Sequence, residues 1–274
     1  YNMAEQTTRA EAFQKLHESG CFVIPNPWDV GSAKILEGLG FSTLATTSAG
    51  FARSTGVNDY ELTRDKVLAH IMDLSAHTKL PLSADLENGF GHTPEDCHET
   101  ISLGAKAGLV GGSIEDFSGE PGVQYLIADA KERGAAAVEA ARAQPFPFIL
   151  TARAENFFTG TPDLSDTIQR LQAYQEAGAD VLYAPGLKSI DDIKSVLASV
   201  DRPINVLLGP QDGLKPVSEL AALGVRRVSV GAVLANVAMD ALIKAGEELL
   251  GPGTFGFLED TNGSKQITDL MFKR

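Results

Sequence analysis

Two carboxylates stand two residues apart at the end of an apolar stretch of the chain. Residues 84–91 are Ala-Asp-Leu-Glu-Asn-Gly-Phe-Gly, which places Asp85 and Glu87 at the end of a predicted strand. Because side chains at positions i and i+2 of a strand lie on the same face, we expect the two carboxylates to converge. Such close like charges repel, and a divalent cation with oxygen ligands between them removes the repulsion. The pair indicates a metal site, and a solvated strand end is the alternative.

Charged residues recur at the ends of the next two predicted strands. Residues 109–116 end in Glu115 and Asp116, and residues 148–156 pass from apolar side chains to a segment that begins with Arg153. An arginine can grip a carboxylate or phosphate through two parallel hydrogen bonds. Parallel α/β proteins build their sites at the carboxyl ends of the strands. The three strand ends therefore predict one site that combines several acids with a fixed cation.

Composition limits the class of protein. The 274 residues are 43% hydrophobic, which is typical of a globular chain with one large or two ordinary domains. A net charge of -13, with only 23 Lys and Arg, disfavours nucleic acid and anionic membranes as partners. No apolar stretch approaches the roughly 20 residues of a membrane span, and no signal-peptide core is visible, so we expect a cytoplasmic protein. Cys21 and Cys97 lack the spacing of a disulfide framework or a structural zinc site.

Strand-like and helix-like segments alternate along the chain. The strand-like runs lie near residues 21–25, 42–47, 81–86, 109–115, 147–152, 180–184, 203–208 and 226–231. Apolar residues at helical spacing occupy 61–78, 94–107, 126–143, 164–177, 189–198 and 214–223. Eight strands alternating with helices predict an α/β fold of the (β/α)8 TIM barrel type. The alternative, a doubly wound open sheet, is disfavoured because no glycine-rich nucleotide motif follows the first strand.

The carboxyl-terminal segment differs from the barrel. Gly251-Pro252-Gly253 breaks the preceding helix, so we predict a barrel domain over residues 1–250 and an extension over 251–274. Apolar side chains are frequent in the extension: Phe255, Phe257, Leu258, Ile267, Leu270, Met271 and Phe272. So much apolar surface beyond a barrel predicts a segment that packs on a neighbouring subunit.

Short motifs at the predicted strand ends resemble a known family. They occupy residues 26–29, 47–50, 56–59, 85–91, 113–116, 151–153, 177–180 and 223–229. Together they are similar to the isocitrate lyase and phosphoenolpyruvate mutase superfamily. The resemblance implies a barrel whose last helix swaps between subunits, a Mg2+ ion in the barrel mouth with Mn2+ as the alternative, and chemistry on α-oxo acids. It also implies a small anionic substrate and a homodimer or homotetramer.

The resemblance assigns a metal-binding role to four acids. Asp85 matches the acid nearest the metal, and Glu87 and Glu115 match partners that act largely through coordinated water. Asp59 matches an outer acid of the same network.

Further positions match the substrate-binding residues of the family. Ser48, Ala49 and Gly50 match the turn that holds the substrate carboxylate, and small residues there allow close backbone approach. Arg153 matches the cation that binds the anionic head and stabilises the developing enolate. Trp28 either packs near the mouth or holds the first loop.

Asn205 has two possible roles, and four histidines are expected to have no role in the site. Asn205, in the seventh strand-like run, either points into the site or is a satisfied core amide. Four histidines lie on predicted helices, and we expect them on the solvated surface: His17, His70, His77 and His98.

The segment after the fourth strand departs from the family pattern. Residues 116–125 are Asp-Phe-Ser-Gly-Glu-Pro-Gly-Val-Gln-Tyr. Isocitrate and methylisocitrate lyases carry a Lys-Cys-Gly-His type of lid here, and the mutases and phosphonopyruvate hydrolases carry Lys and Asn. The missing residues disfavour tricarboxylate lyase and phosphonate chemistry. Glu120 or Tyr125 from the lid, or His92, is the candidate acid in their place.

These observations predict an enzyme, a Mg2+-dependent carbon–carbon lyase. It would cleave a bond next to an α-oxo carboxylate of a 2-oxo or 2-hydroxy dicarboxylate through a metal-stabilised enolate, with decarboxylase or hydrolase activity as variants. Two alternatives stay open: a phosphonomutase or phosphonate hydrolase, and a barrel that binds an oxo acid without turning it over.

Overall fold

Eight parallel strands alternate with helices in the computed structural model, which describes residues 2–187, 189–209, 216–259, 261 and 263–272. The strands are β1 (Phe22–Ile24), β2 (Leu44–Ala45), β3 (Leu82–Asp85), β4 (Gly111–Glu115), β5 (Ile149–Arg153), β6 (Val181–Tyr183), β7 (Ile204–Leu207) and β8 (Arg227–Ser229). The helices are α1 (Met3–Leu16), α2 (Val30–Leu39), α3 (Ser48–Ser54), α4 (Arg64–His77), α5 (Pro94–Lys106), α6 (Ile127–Arg142), α7 (Leu164–Ala177), α8 (Ile190–Ser199), α9 (Val217–Leu223), α10 (Val233–Leu250) and α11 (Gly263–Met271). The predicted (β/α)8 barrel is confirmed. Residues 214 and 215 of the predicted helix 214–223 lie outside the described residues.

Asn26 connects β1 and β2, where the barrel has no strand ladder. The strand order is β1-β8-β7-β6-β5-β4-β3-β2, which leaves β1 and β2 as neighbours without a ladder of their own. The Asn26 amide group donates to the Ala45 carbonyl at 3.0 Å. Its side-chain oxygen accepts from the backbone N–H groups of Val230 and Gly231, each at 2.9 Å. One buried side chain thus joins the ends of β1, β2 and β8.

Helix α1 covers the amino-terminal end of the barrel. Phe13 is fully buried, and a Cβ placed on Gly111 at the start of β4 would lie 2.7 Å from its ring. His17 packs edge-on against the rings of Phe13 and Phe22, the second of which begins β1. The prediction that His17 lies on the solvated surface is wrong, because this helix is folded under the barrel rather than along its outside.

Glycines in the left-handed conformation end three of the helices. Gly40, Gly178 and Gly224 follow α2, α7 and α9 with φ angles of 100°, 99° and 101°. Each sits at an Ala-Gly or Leu-Gly step, where glycine reaches positive φ without steric cost and ends the helix before the next strand.

The last two helices are arranged differently from each other. Of the 18 residues of α10 only Ala235 is buried, so this helix projects from the barrel. Helix α11 packs on α2 of the same chain, where a Cβ on Gly38 would lie 2.3 Å from the Leu270 carbonyl oxygen. The extension was predicted to pack on a neighbouring subunit. Within this chain α11 packs on α2, and large apolar side chains stay exposed both on α10 and in the extension, where they are Phe255, Leu258, Ile267 and Phe272. Packing on a neighbouring subunit stays a prediction. No helix within the described ranges has both the length and the apolar character of a membrane span.

Candidate active site

A cavity of about 800 Å3 opens at the carboxyl ends of the strands. We call it the mouth cavity. Six predicted site residues line it: Ser48, Ala49, Asp59, Asp85, Arg153 and Asn205. Seven others do not: Trp28, Gly50, Glu87, His92, Glu115, Glu120 and Tyr125. The structure therefore gathers the core of the predicted site and places the predicted acid–base candidates elsewhere.

Arg153 is the central cation of the mouth cavity. Its guanidinium nitrogens contact Asp85 at 2.8 Å, Glu115 at 3.1 Å and Glu155 at 2.8 Å. Burial alone would lower the pKa of Arg153, but these carboxylates raise it well above its usual value. The ring of Tyr183 lies 5.2 Å from the guanidinium carbon. Each Nη group has a second hydrogen beyond these ion pairs, so the guanidinium can still donate to a ligand.

Asp85 stands at the end of β3 with a partner on each side. Its Oδ2 accepts a hydrogen bond from the Ser48 hydroxyl at 3.1 Å, and its Oδ1 pairs with Arg153. Its backbone N–H donates to the Thr46 hydroxyl at 3.0 Å, which fixes the strand end. Asp85 is therefore held with both carboxylate oxygens at the cavity.

Glu87 lies close to Asp85 for a different reason from the one predicted. β3 ends at Asp85, and Glu87 has a left-handed φ of 49°, so strand alternation does not extend to it. Its Oε1 is buried without a hydrogen-bond partner. Burial, with Asp85 and Asp59 as further causes, raises the pKa of Glu87 to about 8. Arg153 offsets this rise only in part, and Glu87 has no ion pair within the described residues.

Asp59 shows the same pattern at the edge of the cavity. Its Oδ1 is buried without a hydrogen-bond partner, and burial together with the neighbouring Asp85 raises its pKa. The Ser48 hydroxyl donates to Asp85, and its proximity to Asp59 lowers the pKa of Asp59 in part. The predicted outer acid is therefore adjacent to the predicted metal ligand.

Glu155 and Tyr60 are members of the site that sequence analysis did not assign. Glu155 lines the mouth cavity, and burial raises its pKa to about 7. Tyr60 donates a short hydrogen bond to Glu115, whose pKa burial raises well above its usual value. Glu155 could have been inferred, because it follows Arg153 by two residues. Tyr60 lies 55 residues from Glu115, and no sequence signal joins the two.

The donor set fits a hard divalent cation. Asp85, Glu115 and Glu155 contact the Arg153 guanidinium, which is also close enough to lower the pKa of Asp59 and Glu87. Asp59 and Glu87 each have a carboxylate oxygen that is buried without a partner. No three His, Cys, Asp or Glu side chains in the described part of the chain are grouped so that they could hold one ion together. Mg2+ keeps several of its waters and uses one or two carboxylates. The arrangement therefore suits Asp85 as a direct ligand and Glu87 and Asp59 as acids that act through water.

The turn before α3 is built for close backbone approach. The Thr47 hydroxyl caps the helix by accepting from the Gly50 N–H at 3.2 Å. A Cβ on Gly50 would lie 2.6 Å from the Thr47 methyl group and 3.3 Å from the Trp28 Cβ. Trp28 therefore packs behind this turn and does not line the mouth cavity. Ser48 and Ala49 face the cavity, as predicted for a carboxylate-binding turn.

Comparison with known proteins identifies the family. The family model described as phosphoenolpyruvate phosphomutase matches residues 13–250. The chain belongs to this family. A crystal structure from Burkholderia cenocepacia J2315, described as a candidate lyase or mutase, has 53% identity and a TM-score of 0.94, and the match covers 97% of this chain and 96% of that one.

Two other relatives have narrower descriptions. An oxaloacetate decarboxylase of Pseudomonas entomophila is 28% identical over 239 residues, 85% of this chain and 81% of its own. A phosphonopyruvate hydrolase, solved with oxalate and Mg2+, has 23% identity and a TM-score of 0.83, with 96% and 94% of the two chains covered. At that identity the second match shows only the fold. The predicted superfamily is confirmed, as is the prediction of an enzyme.

Within this family member, the lid after β4 presents apolar atoms to the mouth cavity. Phe117 pairs with Gln124 in an antiparallel bridge, which folds residues 117–124 into a short hairpin. Phe117, Pro121 and Gly122 line the mouth cavity, whereas Glu120 lines an adjoining cavity of about 570 Å3. The lid places no acid over the reaction space.

His92 and Tyr125 contact each other instead of the mouth cavity. The His92 Nδ1 lies 2.6 Å from the Tyr125 hydroxyl, and His92 is exposed. The buried guanidinium of Arg133 stacks on the Tyr125 ring at 4.2 Å and donates to the Gly91 carbonyl at 3.0 Å. These contacts hold the loop after β3 in place, and neither His92 nor Tyr125 lines the mouth cavity as a candidate acid.

Asp116 anchors the base of the lid. It accepts from the Glu155 N–H at 2.8 Å and from Arg170 at 3.0 Å, and it receives a short hydrogen bond from Tyr174. Its pairing with α7 fixes the loops after β4 and β5 relative to each other. The rigid base keeps Glu155 beside Arg153.

Proposed function

We propose that the chain is a Mg2+-dependent lyase. It cleaves a carbon–carbon bond next to the α-oxo carboxylate of a small 2-oxo or 2-hydroxy dicarboxylate. The observation that carries the proposal is the group of carboxylates around the Arg153 guanidinium at the mouth cavity: Asp59, Asp85, Glu87, Glu115 and Glu155. Asp59 and Glu87 each have a buried oxygen without a partner. Such an excess of negative charge suits a divalent cation that in turn holds an anionic substrate.

Asp85 would hold the ion directly, and Glu87 and Asp59 would hold it through water. When bound, Mg2+ supplies a Lewis acid that polarises the substrate oxo group. The substrate carboxylate would lie against the turn at Ser48 and Ala49, which lines the cavity. The Ser48 hydroxyl and the backbone of this turn would bind that carboxylate.

Arg153 would stabilise the charge that develops on the substrate. Bond cleavage next to an oxo acid leaves an electron pair on the oxo oxygen, as an enolate. The guanidinium is fixed by three carboxylates and lines the cavity, so it donates without reorganising during the reaction. This arrangement supports an enolate-forming reaction irrespective of which group leaves.

The lid argues against phosphonate chemistry. Its cavity-lining residues Phe117, Pro121 and Gly122 carry neither a cation nor an amide side chain for a phosphoryl group. The relatives named as oxaloacetate decarboxylases support a small diacid as substrate. A barrel that binds an oxo acid without turnover is the second candidate, because none of the predicted acid–base residues lines the cavity.

We further propose a homo-oligomer in which a second copy covers α10. Large apolar side chains on this helix are exposed, namely Val237, Leu242, Ile243, Leu249 and Leu250. An apolar surface of this extent on one helix is typical of a protein interface. The cytoplasmic location stays a prediction.

A substrate panel tests the reaction. Oxaloacetate, substituted malates, isocitrate, methylisocitrate and phosphonopyruvate are assayed with Mg2+ for release of a 2-oxo acid. We expect turnover of oxaloacetate or a malate and little with the other three. Asp85→Ala should abolish both turnover and calorimetric Mg2+ binding, and Ser102→Ala, on α5 and outside the lining of the mouth cavity, is the control. Robust turnover of phosphonopyruvate contradicts the lid argument, and no turnover of any compound favours the binding protein.

A further inference from the structure

Arg227 is a buried arginine that borders the mouth cavity, below Arg153. It begins β8, is 6% exposed and lines the cavity. Neighbouring strands pair Arg153 with Tyr183, Tyr183 with Asn205, and Asn205 with Arg227. Because Arg227 also contacts His17 of the helix under the barrel, it lies at the floor of the cavity.

The partners of Arg227 are all neutral. Its Nε donates to the Asn205 side-chain oxygen at 2.9 Å, and its Nη2 donates to the Thr151 hydroxyl at 2.9 Å. Its Nη1 lies 3.5 Å from the His17 Nε2. Burial and the charge of Arg227 lower the pKa of His17 to about 3, so this imidazole is uncharged at neutral pH. Of the carboxylates in the described residues, none pairs with Arg227.

Arg227 nevertheless remains charged. Burial lowers its pKa to about 10, which leaves the guanidinium protonated near neutral pH. The Tyr183 hydroxyl raises the pKa of Arg227 in part, but burial raises the pKa of Tyr183 itself, which keeps that hydroxyl uncharged. A buried cation without a counter-charge is costly unless something anionic reaches it.

The other buried arginines show how this chain usually compensates such a charge. Arg153 has three carboxylate partners, and Arg170 has Asp116 and Asp166. Arg133 also lacks a carboxylate, but its Nη groups donate to three carbonyl oxygens and it lines neither of the two cavities. Arg227 combines three neutral contacts with access to a cavity.

Small side chains leave room above Arg227. Ser83, Ser113 and Ser229 line the cavity from β3, β4 and β8. Barrel interiors are commonly filled at such positions by bulky branched residues. The serines let the cavity extend from the mouth to the guanidinium and also add hydroxyl groups that can donate to an anion.

We propose that Arg227 is the cation of a second anion subsite at the floor of the mouth cavity, which takes a small carboxylate-type anion. The planar guanidinium has donor hydrogens beyond its three contacts and matches the two oxygens of a carboxylate. The anion is either a free one, such as formate or hydrogencarbonate, or the second carboxylate of a dicarboxylate. The subsite does not depend on the proposed lyase reaction, because it needs neither metal nor turnover.

Formate titration without metal tests the subsite. Calorimetry and thermal unfolding are followed at constant ionic strength for the parent, Arg227→Met and Arg226→Met. Arg226 is the matched control, because it is the adjacent residue and its side chain donates to the Gly20 carbonyl at 2.6 Å on the outside of the barrel. We expect saturable formate binding that Arg226→Met retains and Arg227→Met weakens by roughly tenfold or more.

Two further arms complete the test. Ser113→Leu narrows the cavity that Ser113 and Arg227 both line and leaves the guanidinium in place, so it should also weaken formate binding if Arg227→Met proves too unstable to assay. Succinate is then titrated with Mg2+. A dicarboxylate that spans both subsites loses affinity in Arg227→Met and in Asp85→Ala, whereas a free anion responds only to Arg227→Met. Absence of formate binding in the parent, or equal binding in Arg227→Met, overturns the proposal.

Discussion

Removing the Arg153 guanidinium should destabilise the fold in a pH-dependent way. Arg153→Met keeps an unbranched apolar side chain but leaves Asp85, Glu115 and Glu155 without their common partner. The side chains of Glu115 and Glu155 are only 1% and 5% exposed, so water replaces little of the lost interaction. Breaking a buried ion pair in this way costs about 3–5 kcal/mol.

The sign of the pH dependence follows from the carboxyl pKa values. Burial raises the pKa of Glu155 to about 7 and that of Glu115 well above 4.5, and loss of Arg153 raises both further. A group whose folded pKa is raised keeps its proton after the unfolded chain has lost it, so stability falls as pH rises between the two values. The variant should therefore be closest to the parent near pH 5, and the deficit should approach about 3–5 kcal/mol at pH 8.

Denaturant unfolding at pH 5 and pH 8, with chelator and with Mg2+, measures the effect. Mg2+ should restore part of the deficit at pH 8, because a divalent cation can replace the missing charge. Arg142→Met is the control, since Arg142 pairs with Asp180 with 48% of its side chain exposed and should cost at most about 1 kcal/mol. Equal losses at both pH values, or a loss no larger than that of the control, would refute the assignment of Arg153 as the compensating charge.

Two more predictions concern other parts of the molecule. In the metal-free protein, Glu87→Gln should flatten the fall in the free energy of unfolding between about pH 4.5 and pH 8, because a pKa of about 8 against 4.5 corresponds to as much as roughly 5 kcal/mol. Identical denaturation profiles for parent and variant would contradict it. Leu242→Glu with Ile243→Glu on α10 should lower the mass seen by light scattering, with the equally exposed Met72→Glu on α4 as control. An unchanged mass would exclude α10 from the interface.

The positions of the charged residues at the strand ends could be predicted because they depend on local sequence. Asp85, Glu115 and Arg153 are each the last residue of a strand, and parallel strands bring their carboxyl ends to one edge. Glu87 was correctly predicted to lie near Asp85, but the reason given was wrong. The strand does not continue to Glu87, which has a left-handed φ, so strand alternation does not place its side chain. The φ of a single non-glycine residue leaves no trace in hydrophobic periodicity.

The sequence located the lid but could not predict which of its side chains lie at the mouth cavity. Glu120 lies in the lid, and sequence alone could not tell on which side of the hairpin its side chain would lie. The bridge between Phe117 and Gln124 sets that side and leaves Phe117 and Pro121 at the mouth cavity. His92 and Tyr125 are 33 residues apart in the chain and contact each other, away from the mouth cavity. No local sequence pattern indicates this contact.

Arg227 could not be recognised as a site residue from sequence for a related reason. A charged residue at the start of a strand is usually solvated, and the neighbouring Arg226 is half-buried and donates to the Gly20 carbonyl. Only the closed barrel brings Asn205, Thr151 and His17 to the same guanidinium, from positions 22, 76 and 210 residues away. Closure of the barrel also places the carboxylates of the site around Arg153, one layer above Arg227. Arg227 is therefore left without a carboxylate partner among the described residues, and a bound anion would supply the missing negative charge.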